Sequence, residues 1–146
     1  MNLNLMDDMK AGIREAKRGN TRIGMELLQG FAMRNNFPEA KAWFGYCLAY
    51  EIMDISAGIT FCKAALNLEP RLSDGYLALA RIYLHLGNRK QAIDVLQQGM
   101  NATQNQEIQN LLRVLGVRKR PIIPFLTRDN FLNVSLGRLL ARVGLR

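Results

Sequence analysis

The chain has 146 residues, of which 49% are apolar and 22% charged, and its formal net charge is +8. This length suffices for one ordinary domain with a real core, and the composition excludes a disordered chain. No apolar run approaches the ~18–20 residues needed to cross a bilayer. The opening MNLNLMDDMK lacks the basic start and apolar stretch of a secretory signal, so a cytoplasmic protein is expected.

Charge divides the chain at Gly116. Up to that residue there are 13 Lys/Arg against 11 Asp/Glu, a net of +2. From Val117 onward there are 7 Lys/Arg against Asp129 alone, a net of +6. Electrostatic attraction to a partner is therefore a property of the last thirty or so residues. Two regions are expected: a helical domain over 1–116 and a basic, Pro-containing tail over 117–146.

In chain order, the first expected unit is a helix pair broken at Gly19-Asn20, with Gly12, Gly24 and Leu27-Leu28 at hairpin-like offsets. The second runs through EAKAWFGYCLAYEIMDISAGITFCKAALNLEP, with its inter-helix turn near Asp54-Ile55-Ser56. Pro70 cannot donate a backbone hydrogen bond and forces Glu69 out of helix, so a new hairpin must start after it. The third unit places Tyr76, Leu79, Ala80 and Tyr83 at i, i+3, i+4 and i+7, one helical face. Ser73 or Asp74 is expected to cap it. Gly87-Asn88, both tolerant of positive φ, stops it. Ala92, Val95, Leu96 and Gly99 form the facing stripe. Gln106–Leu115 reads as one more helix, with Ile108, Leu111, Leu112 and Leu115 on one side.

The second and third units superpose at a spacing of 33–34 residues, with Trp43, Tyr46 and Tyr50 falling opposite Tyr76, Leu79 and Tyr83. A period in this range marks a solenoid of helix hairpins, each burying its apolar face on its neighbours. With positions counted from Ser73, the third unit resembles a tetratricopeptide repeat at positions 4, 7, 8, 11, 15 and 20. It departs mildly at Leu96, Gly99 and Gln104. The second unit is similar at Trp43, Tyr46, Cys47, Tyr50, Gly58, Cys62, Ala65 and Pro70, after a one-residue deletion in its turn. The first carries Glu15 where an aromatic is expected. The resemblance implies an all-α fold, an antiparallel helix-hairpin solenoid of about three repeats, with an atypical last helix as its cap.

It also implies a ligand groove lined by positions 2, 5, 6, 9, 12 and 13 of each first helix. Carried over, these are Lys41, Phe44, Gly45, Leu48, Glu51 and Ile52, then Asp74, Leu77, Ala78, Arg81, Leu84 and His85, with Met9 and Ile13 from the first unit. The sites at which relatives clamp a carboxylate hold Phe44, Leu48 and Leu77, which argues against that ligand class. Phe44, Leu48, Ile52, Leu77 and Leu84 instead make an apolar strip, each side chain worth ~1.5–3 kcal/mol when buried. A partner, the chain's own tail, or packing between repeats covers it.

In the tail, Pro121 and Pro124 make Pro121–Leu126 extended. Asn130–Val143 reads as a basic amphipathic helix carrying Arg138 and Arg142 beside a leucine face. Its uses are docking on its own domain or on a neighbouring copy, docking on a partner, or lying on an anionic membrane. Arg118, Lys119 and Arg120 are weak evidence for phosphate contact, so nucleic acid is an unfavoured partner.

No catalytic constellation, phosphate-binding loop or two-histidine motif is found, so neither an enzyme nor a cofactor is expected. His85, the single histidine, is expected to be solvated. Asp7 and Asp8 are adjacent and point ~100° apart on a helix, so they form no carboxylate pair. Cys47 and Cys62 are expected to be reduced packing residues, a bridge within one hairpin being the alternative. The expected function is binding of a protein or peptide by a non-catalytic adaptor or assembly factor. The rival is a peripheral membrane or nucleic-acid tether acting through the tail.

Overall fold

A computed structural model describes residues 3–116. They form seven helices: α1 (Leu3–Arg18), α2 (Thr21–Ala32), α3 (Pro38–Glu51), α4 (Ile55–Leu68), α5 (Ser73–His85), α6 (Arg89–Thr103) and α7 (Gln106–Gly116). No strand occurs among the described residues. The helices pair in succession into three hairpins, and α7 packs on α6 as a single capping helix. The expectations for Pro121–Leu126 and Asn130–Val143, and for the basic residues Arg118, Lys119, Arg120, Arg138 and Arg142, lie outside the described residues.

The connections within hairpins repeat one backbone design. Gly19 has φ +90°, Met53 +56° and Gly87 +70°, so each hairpin reverses through a left-handed residue. A polar residue follows each: Asn20, Asp54 and Asn88. Asp54 accepts a hydrogen bond from the Ala57 N–H at 2.9 Å, and Asn88 from the Gln91 N–H at 3.2 Å, capping α4 and α6. Asn105 does the same for α7, accepting from the Glu107 and Ile108 amides. Glu69 is extended (φ −138°) ahead of Pro70, as the proline requires. The expected cap of α5 by Ser73 or Asp74 does not form. Leu72 occupies the N-cap without a side-chain bond, and Ser73 and Asp74 are the first two residues of the helix itself.

The core runs continuously through the hairpins, with Trp43, Leu28, Leu77, Ile82, Leu96 and Ile108 among its fully buried side chains. Small residues set the closest approaches. A Cβ on Gly45 would lie 2.6 Å from the Gly58 carbonyl oxygen, and one on Gly58 would lie 2.6 Å from that of Gly45. The α3 and α4 backbones therefore touch. Cys47 and Cys62 are buried and free; the Cys62 thiol donates to the Ala42 carbonyl at 3.3 Å. Burial pushes the Cys47 thiol up to about 12 and raises Cys62 as well, so both are protonated, unreactive packing groups.

Candidate functional site

The register of α3 decides which of its side chains pack inside the hairpin and which face α1 and α5. A Cβ on Gly12 would meet Leu27 and Leu28, and one on Gly45 would meet Phe61 and Cys62, the same stretch of the partner helix one unit later. Likewise Gly24 faces Ala16, and Gly58 faces Ala49. Gly12 thus corresponds to Gly45, and Ala16 to Ala49. Aligned from their first residues, Pro38 and Ser73, α3 and α5 place Gly45 opposite Ala80. The small residue at position 8 of the second hairpin is therefore Gly45 and not Cys47. The connections Ile52–Asp54 and Leu86–Asn88 are equally long, so the expected deletion in the turn is absent. The aromatic spacing placed α3 two residues out of register.

With that correction Lys41, not Trp43, corresponds to Tyr76. Lys41 is buried (7% exposed). Its ammonium donates to the Ala32 carbonyl and lies 5.6 Å from the centre of the Phe61 ring. Phe44 is buried edge-on against Phe61, with ring centres 5.2 Å apart. Leu48 is half-buried on the core. Leu77 is fully buried. Ile52 is 57% exposed but caps α3 in the connection to α4. The expected apolar strip is therefore not an open surface: packing between and within hairpins accounts for Phe44 and Leu77.

A depression of about 650 Å³ lies over α4, α5 and α6, lined by Leu66, Tyr76, Leu79, Tyr83 and Val95 among others, and two adjoining ones are lined by side chains of α1, α3, α5 and α7. One cleft of about 520 Å³ is lined by Lys10, Ile13 and Lys17 of α1, Glu39 of α3, Asp74 and Arg81 of α5, and Glu107 of α7, among others. A second, of about 460 Å³, shares Arg81 and Glu107 and continues over Leu84, Leu111 and Val114. Asp74, Arg81, Leu84 and Ile13 from the sequence-expected set thus come together here. Lys10, Lys17, Glu39, Glu107, Leu111 and Val114 join them without having been anticipated. One signal was available: Glu39, Asp74 and Glu107 each stand second in their helix.

Trp43 faces the same side and is fully buried beneath two cations. Lys17 Nζ lies 5.4 Å from its ring centre and the Arg81 guanidinium 5.1 Å. The indole N–H donates to Asp74 Oδ1 at 2.9 Å. Asp74 also pairs with Lys17 at 2.6 Å, and Arg81 pairs with Glu107 at 3.7 Å. Tyr46 and Tyr50 extend the aromatic row, and the exposed His85 ring stacks on Tyr50 with centres 4.0 Å apart. Burial and the neighbouring Tyr46 push the Tyr50 hydroxyl up to about 12. Partial desolvation at the cleft wall, with the nearby Asp74 carboxylate, raises Glu39 above the usual carboxylate range, and Lys17 partly offsets this. Among the described residues, no group of three His, Cys, Asp or Glu side chains is placed to hold a metal ion. None of the described helices is long and apolar enough to cross a membrane.

Residues 54–115, from the cap of α4 through α7, match the family model of the tetratricopeptide repeat. None of the curated proteins matches the chain. Repeats of this kind are in general protein–protein interaction modules and typically non-catalytic. This match and the seven helices paired as repeated hairpins are consistent with tetratricopeptide-like repeats.

Proposed function

We propose that this protein is a non-catalytic adaptor or assembly factor that binds a peptide or a helix on the face formed by α1, α3, α5 and α7. The observation that carries the reading is the pair of adjoining clefts, which share Arg81 and Glu107 and together run across the first helices of the solenoid. Their walls combine an apolar floor at Leu84, Leu111 and Val114 with charges of both signs. That is the mixture a peptide site uses for affinity and for orientation. Asp74, Arg81 and Leu84 are the residues of the sequence-derived groove that carry this role. Lys10, Glu107, Leu111 and Val114 complete it.

The test is selection of peptides from a display library on the immobilised full chain, followed by titration. Val114 is 78% exposed, so Val114→Glu leaves the fold intact. It should weaken a selected peptide at least tenfold, as should Leu84→Glu. Peptides that bind both variants like the parent would refute the site.

A second reading rests on charge. The excess of six positive charges in residues 117–146 supports a tether to an anionic membrane or nucleic acid. Ionic strength separates the two, because tail-driven binding collapses with salt while binding in the apolar cleft does not.

A further inference from the structure

We propose that Trp43, beneath the ligand face, is covered by a latch made of the chain's own charged side chains, so that a ligand must displace Lys17 and Arg81 to reach it. This rests on the peptide-binding reading above and adds how that site is controlled.

The latch joins helices far apart in sequence. Lys17, in the last turn of α1, pairs with Asp74 at the start of α5 and reaches Glu107 at the start of α7 at 4.0 Å. Arg81 donates to the Lys17 carbonyl oxygen at 2.9 Å, a contact across 64 residues. That carbonyl belongs to the C-terminal end of α1, where the helix dipole favours a cation. The second Arg81 nitrogen pairs with Glu107. One cluster thus pins the end of α1 to α5 and α7, and two of its members, Arg81 and Glu107, line both clefts.

What lies underneath is unusual for a core. Trp43 is the chain's one tryptophan, and two cations, Lys17 and Arg81, lie over its ring, which also meets the Tyr46 ring at 5.5 Å between centres. Both cover groups keep water contact: the Lys17 side chain is 33% exposed and that of Arg81 28%. Ion pairs this wet are individually weak and are screened by salt. The α1 backbone is held by apolar packing on α2 and α3, where Gly12 seats against Leu27 and Leu28 and Ala16 is fully buried beside Gly24. The Lys17 and Arg81 side chains can therefore part from the ring while that packing stays in place. The surface this uncovers is an aromatic platform of Trp43 and Tyr46 flanked by carboxylates. Lys17 and Arg81 occupy it as a ligand's own cations would.

Trp43 reports directly on the latch in the full chain without any ligand. Asp74→Asn keeps an oxygen for the indole N–H but removes the charge that holds Lys17. Lys17→Met keeps the aliphatic stem and removes the ammonium. Each should raise the acrylamide quenching constant of Trp43 at least twofold and red-shift its emission, with unchanged far-ultraviolet circular dichroism. Lys17→Arg should restore the parent values, and 0.5 M NaCl should move the parent toward the variants. Unchanged quenching in both variants and in salt would overturn the latch, as would loss of helix content in both, which would make the cluster part of the folding core. Because no peptide is present, neither result depends on the binding reading. A peptide that binds the parent should then bind Lys17→Met at least threefold more tightly, and equal affinity would show that the latch does not guard the site.

Discussion

The Trp43 indole donates to the Asp74 carboxylate at 2.9 Å, and this bond ties the first helix of the second hairpin to the first helix of the third. Asp74, second residue of α5, lies inside the helix, and its carboxylate reaches out to Trp43 of α3 and Lys17 of α1. The bond also places a fully buried indole N–H in the position where loss of its partner is most costly. A buried donor left unpaired costs about 1–3 kcal/mol, whereas exchanging one acceptor for another costs far less. Asp74→Ala should therefore lower the unfolding free energy by about 1–3 kcal/mol in urea denaturation. Asp74→Asn should lose clearly less. Equal losses would mean that the charge, and not the hydrogen bond, is what the fold needs.

A second prediction concerns backbone contact between α3 and α4. Cβ atoms on Gly45 or Gly58 would fall 2.6 Å from a carbonyl oxygen of the facing helix, and backbone cannot step aside as a flexible side chain can. Gly45→Ala and Gly58→Ala should each destabilise by about 1–3 kcal/mol. Gly30, in α2, has nothing within 4 Å of its Cβ position. Gly30→Ala should stabilise by about 0.4–1 kcal/mol. Thermal melts of the three variants, read together, test the register of α3 against α4.

That register shows what one sequence can and cannot reveal. The third hairpin was legible because Tyr76, Leu79, Ala80 and Tyr83 recur with helical spacing on the side that packs inside the hairpin. The second hairpin is misleading because Trp43, Tyr46 and Tyr50 have the same spacing and are the largest residues of α3. They serve a different side, beneath cations from α1 and α5. The interior position went to Lys41, whose long stem packs like an aliphatic side chain while its ammonium finds the Ala32 carbonyl. Hydropathy assigns a lysine to solvent and a tryptophan to the core, so the pattern pointed two residues away. The clefts were legible only in part, since their walls come from four helices and the pairs that join them have no local signature. Asp74, Arg81 and Leu84 were found because the third hairpin was in register.

A third prediction follows from the turns. Met53 takes a left-handed conformation, with φ +56°, where the other two hairpins use glycine. A residue with a Cβ is strained there by roughly 1–2 kcal/mol, and glycine is not. Met53→Gly should raise the unfolding free energy by up to about 1 kcal/mol after glycine's greater chain entropy is subtracted. Gly87→Ala should lower it by about 1–2 kcal/mol. Met53 is 65% exposed, so loss of its side chain removes little packing. A destabilised Met53→Gly would show that the methionine makes contacts that outweigh the strain.

The last prediction is an alkaline weakness. Cys47 is raised from 9.0 to about 12 by burial, with the Glu51 carboxylate adding to the effect, and Tyr50 is raised from 10.0 to about 12. In the unfolded chain these groups lose their protons near their ordinary values, while the folded protein keeps them on. Above pH 9 the unfolded state therefore binds fewer protons than the native state, and stability must fall as pH rises. The window opens at the unfolded pKa and closes near pH 12, where the folded groups also ionise. For one such thiol the slope is about 1.4 kcal/mol per pH unit. Cys47→Ala removes that contribution, so it should flatten the decline between pH 9.5 and 11 by about that amount, whatever it costs at neutral pH. Urea unfolding at a series of pH values measures the slope directly. Parallel curves for parent and variant would mean that Cys47 ionises alike in both states, and that its burial is not maintained in solution.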